Sequence, residues 1–236
     1  MLIKREIPNL ITLSNLSCGL AAIYMSFEGQ MLWGCLLIFL GAFFDFFDGL
    51  AARKLNVAGP LGKELDSMAD LVTFGVAPGF LVFHLFDTES VLRFSAFFIP
   101  LFSAYRLAKF NIDERQSKVF IGLPTPGHAI IYLGICFASL GYTGFGNPAT
   151  GFILATPLAM ALVTLICSAL TVSEISFLAF KFGKDQKTAN RMRIGFVALA
   201  VISLLIFSLS GLTIIVLLYL LFGLLNQIIW KHDLQS

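Results

Sequence analysis

The stretch Asp45-Phe-Phe-Asp48-Gly49-Leu-Ala-Ala52-Arg53, followed after eight residues by Gly62-Lys-Glu-Leu-Asp66-Ser-Met-Ala-Asp70, places four carboxylates at the ends of two long apolar segments. One segment opens at Met31 and is uncharged to Phe44. The other runs on from Leu71 to Phe86. A central Asp on a lipid-facing helix costs about 2.5–3.5 kcal/mol, so four would cost on the order of 10 kcal/mol. Such groups therefore face a bundle interior or a wet cavity. Helical spacing agrees. Asp45, Asp48, Gly49 and Ala52 fall at i, i+3, i+4 and i+7, and Gly62, Asp66, Asp70 and Thr73 at i, i+4, i+8 and i+11. A short loop joins the two helices, which run in opposite directions, so the acidic stripes can face each other.

Outward from this pair, the 236 residues are 58% hydrophobic and 13% charged, with 25 Phe and a mean hydropathy of +0.88. Soluble domains carry about 25% charged residues. The composition indicates a membrane protein and excludes a soluble enzyme, a disordered chain and a disulfide scaffold. A net charge of +2 excludes nucleic acid as a partner. Cys18, Cys35, Cys136 and Cys167 lie in apolar runs without C-x-x-C pairing and read as small buried hydrophobes. Lys4 and Arg5 precede an apolar run that ends in no small-residue cleavage pattern, so no cleavable signal is expected.

A spanning helix needs roughly 20 apolar residues. The runs begin with Leu10–Phe27, Met31–Arg53, Gly62–Phe86 and Phe94–Phe110. Residues 119–173 carry no Asp, Glu, Lys or Arg and break at Gly141-Tyr-Thr-Gly-Phe-Gly-Asn-Pro148. Residues 194–230, also uncharged, have a plausible turn at Ser208-Leu-Ser-Gly211 and form an expected helical hairpin. The expectation is one all-α polytopic membrane domain over 1–236, with about eight transmembrane helices. With a cytoplasmic N-terminus, the inner segments 1–9, 52–64, 106–118, 181–193 and 231–236 hold fifteen of the sixteen basic residues, leaving only Arg93 outside. That is the bias the positive-inside rule expects. It puts both termini and the acidic cluster on the cytoplasmic side of the cell membrane.

Four facing carboxylates need counter-charge, and two divalent cations would cancel them. The donors are all oxygen, with no Cys or His nearby, which selects Mg²⁺ or Mn²⁺. Paired ions of this kind stabilise the attacking and leaving oxygens of a phosphoryl displacement. The plainer alternative is solvation at helix ends, or pairing with Arg53, Lys54 and Lys63.

The same residues match D-x2-D-G-x2-A-R-x8-G-x3-D-x3-D at every fixed position, and by that signature the chain resembles the CDP-alcohol phosphotransferase family. The flanks resemble its phosphatidylserine-synthesising branch: Pro8-Asn9 through Asn15 to Gly19, Leu71-Val-Thr-Phe74-Gly75-Val-Ala-Pro78, Arg106-Leu-Ala-Lys109-Phe-Asn111 and Gly122-Leu-Pro124-Thr-Pro126. The likeness covers at least residues 8–128, and Val172-Ser-Glu174 is also similar. It implies a six-helix catalytic core, a homodimer, and two metals held by Asp45, Asp48, Asp66 and Asp70. Asp70 would also be the base, and Gly49, Ala52, Arg53 and Gly62 would line a CDP site. The implied reaction joins CDP-diacylglycerol and L-serine. A zwitterionic acceptor needs a cation, for which Arg106 and Lys109 are candidates, with Asn111 as a further hydrogen-bonding group; positive-inside topology is the alternative for both cations. Arg53 could equally snorkel to headgroups. Asn15 and Thr73 could bond substrate or join helices. Glu174 would pair with a nearby Lys or Arg. No His precedes the x-K of a phospholipase-D-type enzyme. Two other readings stay open: a sister transferase acting on glycerol 3-phosphate or inositol phosphate, and a cation transporter with an acidic intramembrane site.

Overall fold

The computed structural model describes residues 2–86, 89–113, 120–177 and 187–229. The chain opens with a helical hairpin of α1 (Leu2–Phe27) and α2 (Met31–Leu55). Their three-residue link turns at Gly29, whose φ of 71° lies in the left-handed region open to glycine. Asn56 ends α2 in the same conformation (φ 53°), its N–H returning to the carbonyls of Ala52 and Arg53. Pro60 then sits in the first turn of α3 (Pro60–Asp70), where its missing N–H is no loss. The acidic halves of α2 and α3 are thus joined by only four residues.

α3 does not stop at Asp70. It continues through a π-helical turn, Leu71–Val76, into α4 (Ala77–Leu85). Pro78 cannot donate to the preceding turn, and the wider winding just before it accommodates the missing bond. A 3₁₀ segment (Val91–Phe97) leads into α5 (Phe98–Ile112). Pro100 of α5 packs against Gly79, where an added Cβ would lie 3.0 Å from the proline ring.

α6 (Thr125–Ser139) lies at the centre. Tyr132, Ile131, Leu133, Ile135 and Phe137 are fully buried between two apolar clusters. One cluster joins α6 to α1, α2 and α4. The other joins it to α4, α5, α7 (Pro148–Ala155), α8 (Pro157–Val172) and α10 (Gly211–Ile229). At one end a two-residue antiparallel ladder pairs β1 (Phe120–Ile121) with β2 (Ser176–Phe177). α9 (Lys187–Phe207) precedes α10.

The architecture is all-α and polytopic, as the sequence expects. Among the described residues, five stretches are long and apolar enough to cross a bilayer: Glu6–Phe27, Met31–Leu55, Pro60–Leu85, Val91–Ile112 and Ile194–Gly223. The pair α7 and α8, bent by 113°, makes a sixth if it is one broken span. The sequence count of eight exceeds this for two physical reasons. α6 has 15 residues, about 22 Å of helix, and falls short of a hydrocarbon core of about 30 Å. The stretch 194–223 qualifies once by length but folds back at Ser208–Ser210. Phe196 and Tyr219, about 35 Å apart on a straight helix, have ring centroids 6.1 Å apart, and Ser203 Oγ donates to the Gly211 carbonyl. The expected end of the hairpin, Trp230, lies outside the described residues. So do Arg115, Lys118, Lys181, Lys184 and Lys231 of the charge count.

Arg93, the basic residue outside the expected inner segments, lies over the rings of Phe83 (4.7 Å) and Phe94 (5.3 Å), within range of a cation–π attraction.

Candidate functional site

The loop at 56–59 makes α2 and α3 antiparallel neighbours, and α1 packs across both. The carboxylates of Asp45, Asp48 and Asp66 each place an oxygen within 4.8 Å of the other two. Asp70 is not in that trio, but it lies within hydrogen-bonding reach of Asp45, which also touches Asp66. All four sequence-predicted aspartates therefore meet.

α1 supplies the groups that orient them. Thr12 Oγ1 lies 2.7 Å from Asp48 Oδ2 and 3.0 Å from the Pro8 carbonyl, and its single proton serves the shorter, charge-assisted contact. Asn15 Nδ2 donates to Asp70 Oδ1 at 3.3 Å. Thr73 Oγ1 donates to the Asn15 carbonyl at 3.0 Å. Of the two roles open to Thr73, the structure gives it helix joining.

Beside the acidic group is a cavity of about 720 Å³, within the range of small-molecule sites. Gly49, Ala52, Arg53 and Gly62 all line it, together with Asp48 and Asp66. The two glycines are informative. A Cβ at Gly49 would reach no atom closer than 3.6 Å, the Arg53 guanidinium, and one at Gly62 would stop 3.7 Å from Asn9 Oδ1. The protein itself would tolerate a side chain at both. What a side chain would take is cavity space.

Glu6, Asn9, Thr12 and Lys63 also line the cavity and were not singled out as cavity residues from the sequence. Asn9 Nδ2 donates to Glu6 Oε2 at 3.2 Å. The signal that could have found Asn9 and Thr12 is their polarity on the helix that carries the first apolar run.

The three candidate acceptor residues lie elsewhere, and none lines this cavity. Arg106 is 5% exposed. Its Nε donates to the Leu123 carbonyl, its guanidinium lies 5.8 Å from the Phe110 ring, and it is near enough to Asp70 for their charges to interact. Lys109 pairs with Glu174 at 3.4 Å, the partnership expected for that acid. Asn111 Nδ2 donates to Ser67 Oγ at 2.9 Å, and its carbonyl accepts from Lys63 Nζ at 2.9 Å, bracing α5 against α3. A further polar group was not read from the sequence: buried His128 bonds Tyr132 Oη at 2.8 Å, with Ser168 Oγ at 3.4 Å.

An all-oxygen trio of this spacing, with Asp48 buried and Asp45 and Asp66 half-buried, can hold a hard divalent cation, and without one its like charges repel. The arrangement can bind a polyanion through cations and basic groups and can move a proton at a carboxylate.

The family model for CDP-alcohol phosphatidyltransferase matches residues 5–155. A protein of Bacillus subtilis named CDP-diacylglycerol–serine O-phosphatidyltransferase is 40% identical over 177 residues, covering 74% of this chain and 91% of that one. A Methanocaldococcus jannaschii protein of the same name is 40% identical over 131 residues, 55% of this chain and 60% of its own length. The archaetidylserine synthase of Methanothermobacter thermautotrophicus is 31% identical over 175 residues, 72% and 69% of the two chains. With the signature, the facing aspartates and the family match all falling on the same helices, the chain belongs to the CDP-alcohol phosphatidyltransferase family.

Proposed function

We propose that this chain is a CDP-diacylglycerol–serine O-phosphatidyltransferase, moving the phosphatidyl group of CDP-diacylglycerol to the hydroxyl of L-serine with release of CMP. The observation that carries the reading is the cavity beside the aspartates, lined by Gly49, Ala52, Arg53 and Gly62 and bounded by Asp48 and Asp66. It is large enough for a nucleotide head group and edged by two cations, Arg53 and Lys63, suited to a pyrophosphate. The names of the three relatives support the serine acceptor.

Asp45, Asp48 and Asp66 would hold one divalent cation, and Asp70 beside Asp45 would complete a second, Mg²⁺ or Mn²⁺ in each case. When bound, such ions neutralise charge building on the pyrophosphate oxygens. The rest is the chain's own work. The glycine-lined cavity seats the CDP head while the acyl chains stay in lipid. Asp70 takes the proton of the serine hydroxyl, whose oxygen bonds to the phosphorus bearing diacylglycerol. The phosphorus–oxygen bond to CMP breaks, and the electron pair leaves with CMP. Arg106, buried close to Asp70, receives the serine carboxylate, with Lys109 and Asn111 framing the approach.

The cavity lies at the end of the bundle that carries Arg53 and Lys63. By the positive-inside rule that end is cytoplasmic, in a multi-pass protein of the cell membrane with both termini inside. The homodimer of the family resemblance belongs to the same proposal and is read from the mass of the detergent-purified protein.

The test is an acceptor panel with purified protein, Mg²⁺ or Mn²⁺ and CDP-diacylglycerol. CMP release is expected with L-serine. Release with glycerol 3-phosphate or inositol phosphate alone would assign a sister reaction, and cation flux without CMP release would assign a transporter. A CDP-activated ether lipid beside the diacyl donor distinguishes the activity named in the archaetidylserine relative. In the same assay, Lys109→Ala is expected to raise the serine KM about threefold to tenfold with the CDP-diacylglycerol KM unchanged, as for an exposed charge contact of about 0.7–1.4 kcal/mol. An unchanged serine KM would leave Lys109 only its brace to Glu174.

A further inference from the structure

Asn15 sits on the fourth turn of α1 and is fully buried. Its Nδ2 donates to Asp70 Oδ1 at 3.3 Å. Its Oδ1 is buried with no hydrogen-bond partner among the described residues. The amide oxygen instead lies flat against α2 at Gly41, where an added Cβ would come within 2.9 Å of it. The Asn15 backbone is pinned as well, its carbonyl accepting from Thr73 Oγ1.

A buried amide with half its bonding capacity unmet is a cost that an apolar side chain of the same shape would avoid. The donor half is therefore what the position retains. Its orientation is set by charge, because a flipped amide would turn Oδ1 onto the Asp70 carboxylate. Nor is Asn15 a contact of the nucleotide cavity, whose lining residues on α1 stop at Thr12. The amide reaches the chemistry only through Asp70.

We propose that Asn15 is a positioning residue: its Nδ2–H holds one Asp70 oxygen and so fixes the orientation in which the carboxylate meets Asp45 and the hydroxyl of the acceptor alcohol. The proposal rests on the reading of Asp70 as the base. Gly41 is part of the device, since it lets the amide lie close enough to α2 to fix its plane.

The experiment compares Asn15→Leu and Asn15→Ser with Asp70→Asn in the purified full-length protein. Leu keeps the volume and Ser keeps a short hydroxyl, so one serves if the other fails to fold. Steady-state kcat and both KM values are measured, together with the rise in melting temperature that CMP and Mn²⁺ produce. For the Asn15 variants kcat is expected to fall at least thirtyfold, with both KM values within threefold and the CMP-dependent melting shift retained. Asp70→Asn is expected to be inactive. Wild-type kcat in the Asn15 variants beside an inactive Asp70→Asn would overturn the positioning role alone. Activity in Asp70→Asn would overturn the base assignment and the inference with it. A loss carried by KM, or disappearance of the CMP shift, would make Asn15 a binding or packing residue and also overturn the proposal.

Discussion

Replacing Asp66 by Asn is expected to stop turnover while leaving the protein folded and inserted, with CMP release falling by about 10³-fold or more. The side chain keeps its shape and loses its charge. Asp66 is the α3 member of the trio whose oxygens lie within 4.8 Å of one another, and the other two members come from α2. Without it no charged ligand of the trio bridges the two helices. The same change removes like-charge repulsion, because Asp66 faces both Asp45 and Asp48. In the presence of a chelator the variant is therefore expected to melt at a temperature equal to or above that of the parent. The rise in melting temperature on adding Mn²⁺, large in the parent, should shrink in the variant, since ligand-linked stabilisation follows affinity. A variant that melts lower in chelator and keeps its Mn²⁺ shift would place the cation elsewhere. Full activity would remove the metal site altogether.

The acidic site was legible in the sequence because both stripes are local. Asp45 to Ala52 and Gly62 to Asp70 are spaced at helical intervals, and the cost of lipid-facing charge forces both inward, so their meeting follows from a four-residue loop. The helix break at Ser208–Ser210 was legible for a similar reason, a short polar interruption in a run too long for one span. The contributions of α1 were not. Thr12 and Asp48 are 36 residues apart and Asn15 and Asp70 are 55 apart, and no spacing rule links them. The sequence left Asn15 and Thr73 between substrate contact and helix joining, and only packing separates these roles. Length and composition alone pass over α6, a 15-residue helix whose central residues are buried among its neighbours. Lys109 and Asn111 each meet a partner distant in sequence, Glu174 and Ser67, which helical spacing does not specify.

Gly19→Ala tests how far the site depends on close helix approach, and its expected effect is large for one methyl group. Thr73 is held between two glycines, Gly19 of α1 and Gly41 of α2. A Cβ at Gly19 would lie 2.5 Å from Thr73 Oγ1, 2.9 Å from its Cα and 3.0 Å from its N. Two of those three atoms are backbone, so no rotamer change relieves the contact. α1 must move away from the π turn by roughly 0.5–1 Å, and overpacking of this kind costs about 1–3 kcal/mol. Both bonds that α1 makes in this region are exposed to the shift. Asn15 Nδ2 to Asp70 is already 3.3 Å, and Thr73 Oγ1 to the Asn15 carbonyl is 3.0 Å. A misplacement near 1 Å in a catalytic constellation is worth about 10² in rate. The variant is therefore expected to lose about 10²-fold in kcat along with several degrees of melting temperature. Gly151→Ala is the control. It lies on α7 with nothing within 4 Å of an added Cβ, and should keep full activity with unchanged or slightly raised stability. If Gly19→Ala matched that control in rate, the contact of α1 with the turn after Asp70 would be packing alone. A loss of rate exceeding what the melting temperature explains would show that helix spacing, set by the absence of one methyl group, is part of the catalytic geometry.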